Sequence, residues 1–113
     1  MKKLTAVVKP FKLDDAVRAL QAVGVTGLTI SEVRGFGRQK GHSELYRGAE
    51  YVVEFLPKIQ LEVVVPEELV MRATQALVEA TRTGRVGDGK LFIQALVDAV
   101  RIRTGERGEA ALI

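Results

Sequence analysis

The residues with the most evident chemical use lie in a short run, Thr83-Gly84-Arg85-Val86-Gly87-Asp88-Gly89-Lys90. Gly87 and Gly89 permit a tight turn whose backbone N–H groups converge on an anion, and Lys90 adds a point charge. The run is not a Walker A loop, because the GxxxxGK[ST] spacing is missing and no Ser or Thr follows Lys90. Taken alone it reads equally as a structural helix-to-strand turn. Arg101 and Arg103, two residues apart near the end of an expected strand, present guanidinium groups from one face. With Lys90 and Arg38 they can hold a triphosphate, since arginine matches phosphate geometry with paired donors. A solvated rim paired with Asp98, Glu106 or Glu109 is the other reading of the same arginines. Glu62 stands inside Leu61-Glu62-Val63-Val64, an otherwise apolar strand, so it is expected at an interface or cleft. Lys58, just after Pro57, can receive a small carboxylate.

Catalytic chemistry is poorly supplied. There is no cysteine, hence no disulfide, thiolate nucleophile or cysteine metal site. His42 is the only histidine, which excludes a multi-histidine metal centre. A serine triad would need that histidine with Ser31 or Ser43 and has no nucleophile-elbow motif behind it. No acid and base are held in an evident pair. Binding outranks turnover.

One small domain must position these groups, for the chain has 113 residues, of which 47% are hydrophobic. No apolar run approaches the ~20 residues of a membrane span. The N-terminal MKKLTAVVKPFK is interrupted by Lys9, Pro10 and Lys12 before it can resemble a signal peptide. Cytoplasm is therefore the expected location. A net charge of +3 is too slight and too evenly spread to argue for nucleic acid.

The elements repeat. Leu4 to Val8 reads as a strand closed by Lys9-Pro10. Leu13, Ala16, Val17, Leu20 and Val23 then fall on one helical stripe, with Asp14 and Asp15 in the first turn and Gly24 at the end. Leu28 to Phe36 reads as a second strand. Ile59 to Val65 reads as a third, and Pro66-Glu67-Glu68 opens a helix striped by Leu69, Ala73, Ala76, Leu77 and Ala80. Gly84 ends that helix, and Leu91 to Ile102 reads as the fourth strand. VVKPFKL from Val7 and VVVPEEL from Val63 align at a constant offset. The order β-α-β, insertion, β-α-β predicts an α+β, ferredoxin-like split βαβ fold: one four-stranded antiparallel sheet with two helices on one face. Apolar residues of both parities, such as Val64 against Leu61, Val63 and Val65, predict an uncovered apolar face buried in a homo-oligomer.

Between the halves, GRQKGHSELYRGAEYVVE at 37–54 breaks the pattern with three glycines, mixed charge and both tyrosines. It is long beside connectors of ~4–6 residues. It reads either as a tolerated insertion or as a displayed segment that uses its Tyr, His, Arg and Lys.

These words together resemble the PII nitrogen-regulatory family of signal transducers. The likeness is carried by KPFKLDD at 9–15, GFGRQKGHSELYRGAEY at 35–51, FLPK at 55–58, TGRVGDGKLF at 83–92 and RIRTGE at 101–106. The resemblance implies a single PII-like domain over 1–113, with a T-loop at 37–55, a B-loop at 82–90 and a C-terminal loop at 102–109. It implies a homotrimer that binds ATP or ADP in clefts between subunits. One subunit would use Val7, Gly35, Phe36, Gly37, Arg38, Gln39, Glu62, Val64, Gly87, Asp88, Gly89 and Lys90. Its neighbour would bring Gly27, Leu28 and Thr29, with Arg101 and Arg103 at the phosphates.

The same resemblance implies 2-oxoglutarate bound beside Mg-ATP. Gln39 would coordinate Mg2+, Lys58 would pair with the far carboxylate, and the backbone of Gln39, Lys40 and Gly41 would assist. Tyr51 matches the position that a uridylyltransferase modifies in some members, whereas Ala49 leaves no serine for the alternative phosphorylation. Arg47 and Tyr51 would dock partners. Those implied are an ammonium channel, enzymes modifying glutamine synthetase, a nitrogen sensor kinase or an enzyme of arginine synthesis. The implied location is the cytoplasm, with recruitment to the inner membrane through the channel. The alternatives are a small ferredoxin-like trimeric enzyme with weak ATPase activity and a protein like the divalent-cation-tolerance family.

Overall fold

In a computed structural model the chain is described at residues 1–36 and 55–113. Strand β1 (Lys2–Val8) alternates strictly, with Leu4, Ala6 and Val8 buried and the residues between them half-buried. Lys9-Pro10 stops it. Pro10 lacks an N–H and has a fixed φ, so it suits the first position of the 3-10 turn Pro10–Lys12 that leads into helix α1 (Leu13–Ala22). Asp14 and Asp15 occupy the first turn of α1, where the helix dipole favours acids. Ala16 and Leu20 are fully buried, and Leu13, Val17 and Val23 pack against them. Backbone bonds from Gly24 N to Gln21 O (3.0 Å) and from Val25 N to Leu20 O (3.0 Å) close the helix.

Strand β2 (Thr29–Gly35) returns along the sheet edge, and β3 (Leu56–Val65) follows the undescribed segment. The second half repeats the first: Pro66 precedes a 3-10 turn at Glu67–Leu69, then helix α2 (Val70–Thr81). Ala73 and Leu77 are buried, and Leu69 packs on the core. The buried Thr81 hydroxyl bonds back to Leu77 O at 2.8 Å, and α2 ends there. Strand β4 (Gly89–Ala95) completes an antiparallel sheet of order β2-β3-β1-β4.

Both helices cover one face. The core between them and the sheet is Leu4, Ala6, Val8, Ile59, Leu61, Val63 and Val65 below Ala16, Leu20, Ala73 and Leu77. Each fully buried leucine or valine there contributes roughly 1.5–3 kcal/mol. The opposite face differs from the expected apolar surface. Register places Thr29, Glu62, Thr5 and Phe92 in one row across the sheet, and Ser31, Gln60, Val7 and Lys90 in the next. The face is thus mixed, with Val7, Val33, Val64 and Phe92 among polar neighbours.

The fourth strand is shorter than expected. It ends at Ala95, so Leu96, Val97, Val100 and Ile102 leave the sheet, and Val97 and Ile102 are almost wholly exposed. Asp98 causes the departure. Its carboxylate accepts from Ala99 N (2.8 Å), Gly108 N (3.1 Å) and Arg107 Nε (3.0 Å), and so ties the base of a separate hairpin. Within it Val100 bridges Arg107, and Arg101 N bonds Glu106 O at 2.9 Å.

Candidate functional site

The loop between α2 and β4 is organised by Asp88. Its carboxylate accepts from Thr83 N (2.8 Å), Gly84 N (2.8 Å) and the Thr83 hydroxyl, and Lys9 Nζ stands 3.2 Å away. Thr83 is held in turn, donating to Asp88 and receiving Lys9 Nζ at 3.3 Å and Arg85 N at 3.2 Å. These bonds, the Thr83 hydroxyl foremost, hold the Asp88 carboxyl well below the usual carboxylate range. Loop residues 83–88 are folded around one anion of the chain's own.

At the far side of the loop Gly89 enters β4 against β1, opposite Val8, with φ +104°. Lys90 follows, paired with Val7. Lys58, on β3, reaches across to Gly87 O at 2.7 Å. Burial is the main cause lowering the Lys58 pKa, reinforced by Lys9 and opposed by Asp88. Its ammonium therefore joins the sheet to the loop and stands partly desolvated.

Between these groups lies an open cleft of about 640 Å3. It is lined by Val7, Gly35, Phe36, Lys58, Arg85, Val86, Gly87, Asp88, Gly89, Lys90 and Phe92. Phe36 packs on Phe55, with centroids 5.9 Å apart and planes tilted by 50°, so the described strands β2 and β3 are joined by this ring contact beside the cleft. The lining has two characters. Val7, Phe36, Val86 and Phe92 form apolar walls, while Lys58, Arg85 and Lys90 supply positive charge. Asp88, the one acid among the described lining residues, is already engaged by Lys9 and the loop amides. The cleft is consequently electropositive and suits an anion attached to a flat or apolar group.

Of the residues singled out from the sequence, Val7, Gly35, Phe36, Lys58, Gly87, Asp88, Gly89 and Lys90 come together here. Glu62 and Val64 lie further along the open face of β3, outside this lining, with Glu62 3.4 Å from Lys3 Nζ. Gly27 and Leu28 precede β2, which Thr29 begins, and Thr29 is paired with Glu62. Arg101 and Arg103 do not share a strand face, because the turn of the hairpin intervenes. Arg101 pairs with Glu106, as the solvated-rim reading allowed, while Arg103 is exposed and makes no ion pair among the described residues. Gly37, Arg38, Gln39, Lys40, Gly41, Arg47 and Tyr51 lie outside the described residues.

Three lining residues were not singled out: Arg85, Val86 and Phe92. Arg85 and Val86 stood inside the glycine run, and period-2 alternation puts Phe92 on the face of Lys90. Lys9 and Thr83, which hold Asp88, carried no signal beyond their place in the two motifs. Among the described residues no group of three or more His, Cys, Asp or Glu could hold a metal ion. None of the described helices is long and apolar enough to cross a membrane.

Comparison with known proteins agrees with this architecture. Residues 1–106 match the family model described as nitrogen regulatory protein P-II. The chain is 60% identical over 112 residues to nitrogen regulatory protein P-II of Haemophilus influenzae, covering 99% of this chain and 100% of that one. It is 54% identical over 112 residues, with the same coverage, to nitrogen regulatory protein P-II 1 of Escherichia coli K12. The crystal structure of Arabidopsis thaliana PII bound to citrate superposes with a TM-score of 0.79 at 37% identity, covering 97% of this chain and 90% of that one. The family-model match over residues 1–106 and the 60% identity over almost the whole chain, on the split βαβ scaffold shared with the solved relative, make the chain a member of the P-II family of nitrogen regulatory proteins, with a regulatory and non-catalytic role.

Proposed function

We propose that this chain senses ATP or ADP together with 2-oxoglutarate and passes that state to target proteins controlling nitrogen assimilation. The observation that carries the reading is the cleft itself. It joins apolar walls at Val7, Phe36, Val86 and Phe92 to the cations Lys58, Arg85 and Lys90 and the glycine turn at 87–89. Apolar walls suit a nucleoside, and the turn with its cations suits phosphates.

The functional unit in this reading is a homotrimer closed over the mixed sheet face. Each cleft then takes Gly27, Leu28, Thr29, Arg101 and Arg103 from the neighbouring subunit, with Glu62 and Val64 along its wall. 2-Oxoglutarate pairs with Lys58, and Gln39 holds the Mg2+ that accompanies ATP, with Lys40 and Gly41 beside it. The 37–55 loop serves as the docking segment, through Arg47 and Tyr51. Its partners are an ammonium channel and the enzymes and kinase that set glutamine synthetase activity or arginine synthesis. A uridylyltransferase acting on Tyr51 is the fitting modifier. The protein works in the cytoplasm and reaches the inner membrane through the channel.

Calorimetric titration with ATP tests the site. Replacing Lys90 by Gln should weaken binding by about tenfold, the scale of one charge-assisted hydrogen bond. Unchanged affinity in Lys90→Gln would remove the phosphates from this cleft.

A further inference from the structure

The two arginines of the 101–103 pair are not equivalent. Arg103 is exposed at the turn of the hairpin and makes no ion pair among the described residues. Arg101 has both terminal nitrogens committed to its own chain. Nη1 donates to Glu106 Oε1, and Nη2 donates to Ala110 O at 3.0 Å and to Ile113 O. End-on bidentate recognition of an anion uses this forked end of the guanidinium, and acceptors of the chain's own are already in place there.

The arrangement is built into the hairpin. Arg101 N bonds Glu106 O at 2.9 Å, and Gly105 N bonds Arg101 O at 2.7 Å, which sets Glu106 opposite Arg101. The Thr104 hydroxyl donates to Glu106 Oε1 at 2.9 Å and aims the carboxylate. Asp98 anchors the hairpin base through Gly108 N and Arg107. Yet the Glu106 side chain is 47% exposed, so water can take over its solvation when the pair opens.

We infer that Glu106 is an internal competitor for Arg101, so that an anionic ligand gains this arginine only by displacing the chain's own carboxylate. The inference rests on the nucleotide reading above and adds the group that sets its affinity. Release of Arg101 also frees the Ala110 and Ile113 carbonyls, which links occupancy of the arginine to the order of the segment 108–112. The displacement favours ligands whose phosphates reach the hairpin, because a ligand without them gains nothing from opening the pair.

The test is a calorimetric cycle with ATP and adenosine on wild type, Glu106→Gln, Arg101→Gln and the double variant. Glu106→Gln should tighten ATP about two- to fivefold, the scale of an exposed ion pair. It should leave adenosine unchanged, and the gain should vanish in the Arg101→Gln background. Weaker or unchanged ATP binding in Glu106→Gln, or a gain that survives loss of Arg101, overturns the inference. If wild type binds no ATP at millimolar concentration, the nucleotide reading fails, and amide exchange then decides whether Glu106 holds Arg101 and, through it, the segment 108–112. Faster exchange over 108–112 in Glu106→Gln supports it, and unchanged exchange overturns it.

Discussion

The backbone of Gly89 passes so close to that of Val7 that a Cβ built on residue 89 would stand 1.8 Å from the Val7 carbonyl oxygen. This contact brings the end of the loop onto β1 and sets Lys90 beside Val7 at the mouth of the cleft. Gly89 also has φ +104°, which side chains rarely adopt. Backbone cannot yield as the end of a side chain can. Gly89→Ala should cost about 2 kcal/mol or more. The midpoint of thermal unfolding should fall by roughly 10 °C, and ATP affinity should fall with it. A midpoint within two degrees of wild type would mean that the loop does not sit on β1 as described.

Asp88 makes a pH-dependent contribution whose sign is fixed by its hydrogen bonds. Its folded pKa is depressed, so the stabilisation is fully present above the ordinary aspartate value of about 4. It is lost progressively as pH falls below that value toward the folded one. Asp88→Asn removes the charge that Lys9 and the Thr83 and Gly84 amides surround. Its unfolding free energy should therefore fall less steeply than that of wild type below about pH 4. Denaturant melts at a series of acid pH values check this. Parallel curves would show that the loop is not held by the carboxylate.

Lys58 is predicted to couple the loop to a second anion. Lys58→Met keeps the apolar stem of the side chain but removes the ammonium that donates to Gly87 O. Affinity for 2-oxoglutarate in the presence of Mg-ATP should drop by about tenfold or more. Because burial lowers the Lys58 pKa, wild-type affinity should begin to decline below the ordinary lysine value of 10.5 as pH is raised. Titrations of wild type and variant across neutral to alkaline pH read both effects.

The core should be separable from the site. Leu20 is fully buried on α1, against the helix face of the sheet and away from the cleft. Leu20→Ala should cost about 2–5 kcal/mol in denaturant unfolding. Its ATP affinity under native conditions should stay within about twofold of wild type, since no lining residue contacts ligand through it. A large loss of affinity in the folded variant would show that the cleft depends on helix packing.

Much of the scaffold was legible because each element had its own period. The stripe Leu13-Ala16-Val17-Leu20-Val23 and the alternation of Leu61, Val63 and Val65 specify one buried face each, and the structure buries those faces. The expected fourth strand overruns the observed one for a physical reason. Leu96, Val97, Val100 and Ile102 continue an apolar pattern, while the hairpin that breaks it depends on Asp98 meeting Arg107 and Gly108, contacts invisible in local sequence. Asp88 was legible as part of the glycine run, but its engagement with Lys9, 79 positions earlier, was not. The arginine pair lost its shared face for the same reason that β4 ended early.

The central claim is that the cleft beside Gly87–Lys90 couples nucleotide to 2-oxoglutarate, and one measurement tests it most directly. Calorimetric titration of 2-oxoglutarate into the chain is run with Mg-ATP, with ADP and without nucleotide. The account predicts strong binding with Mg-ATP and little or none in the other two conditions. Equal affinity in all three would contradict it.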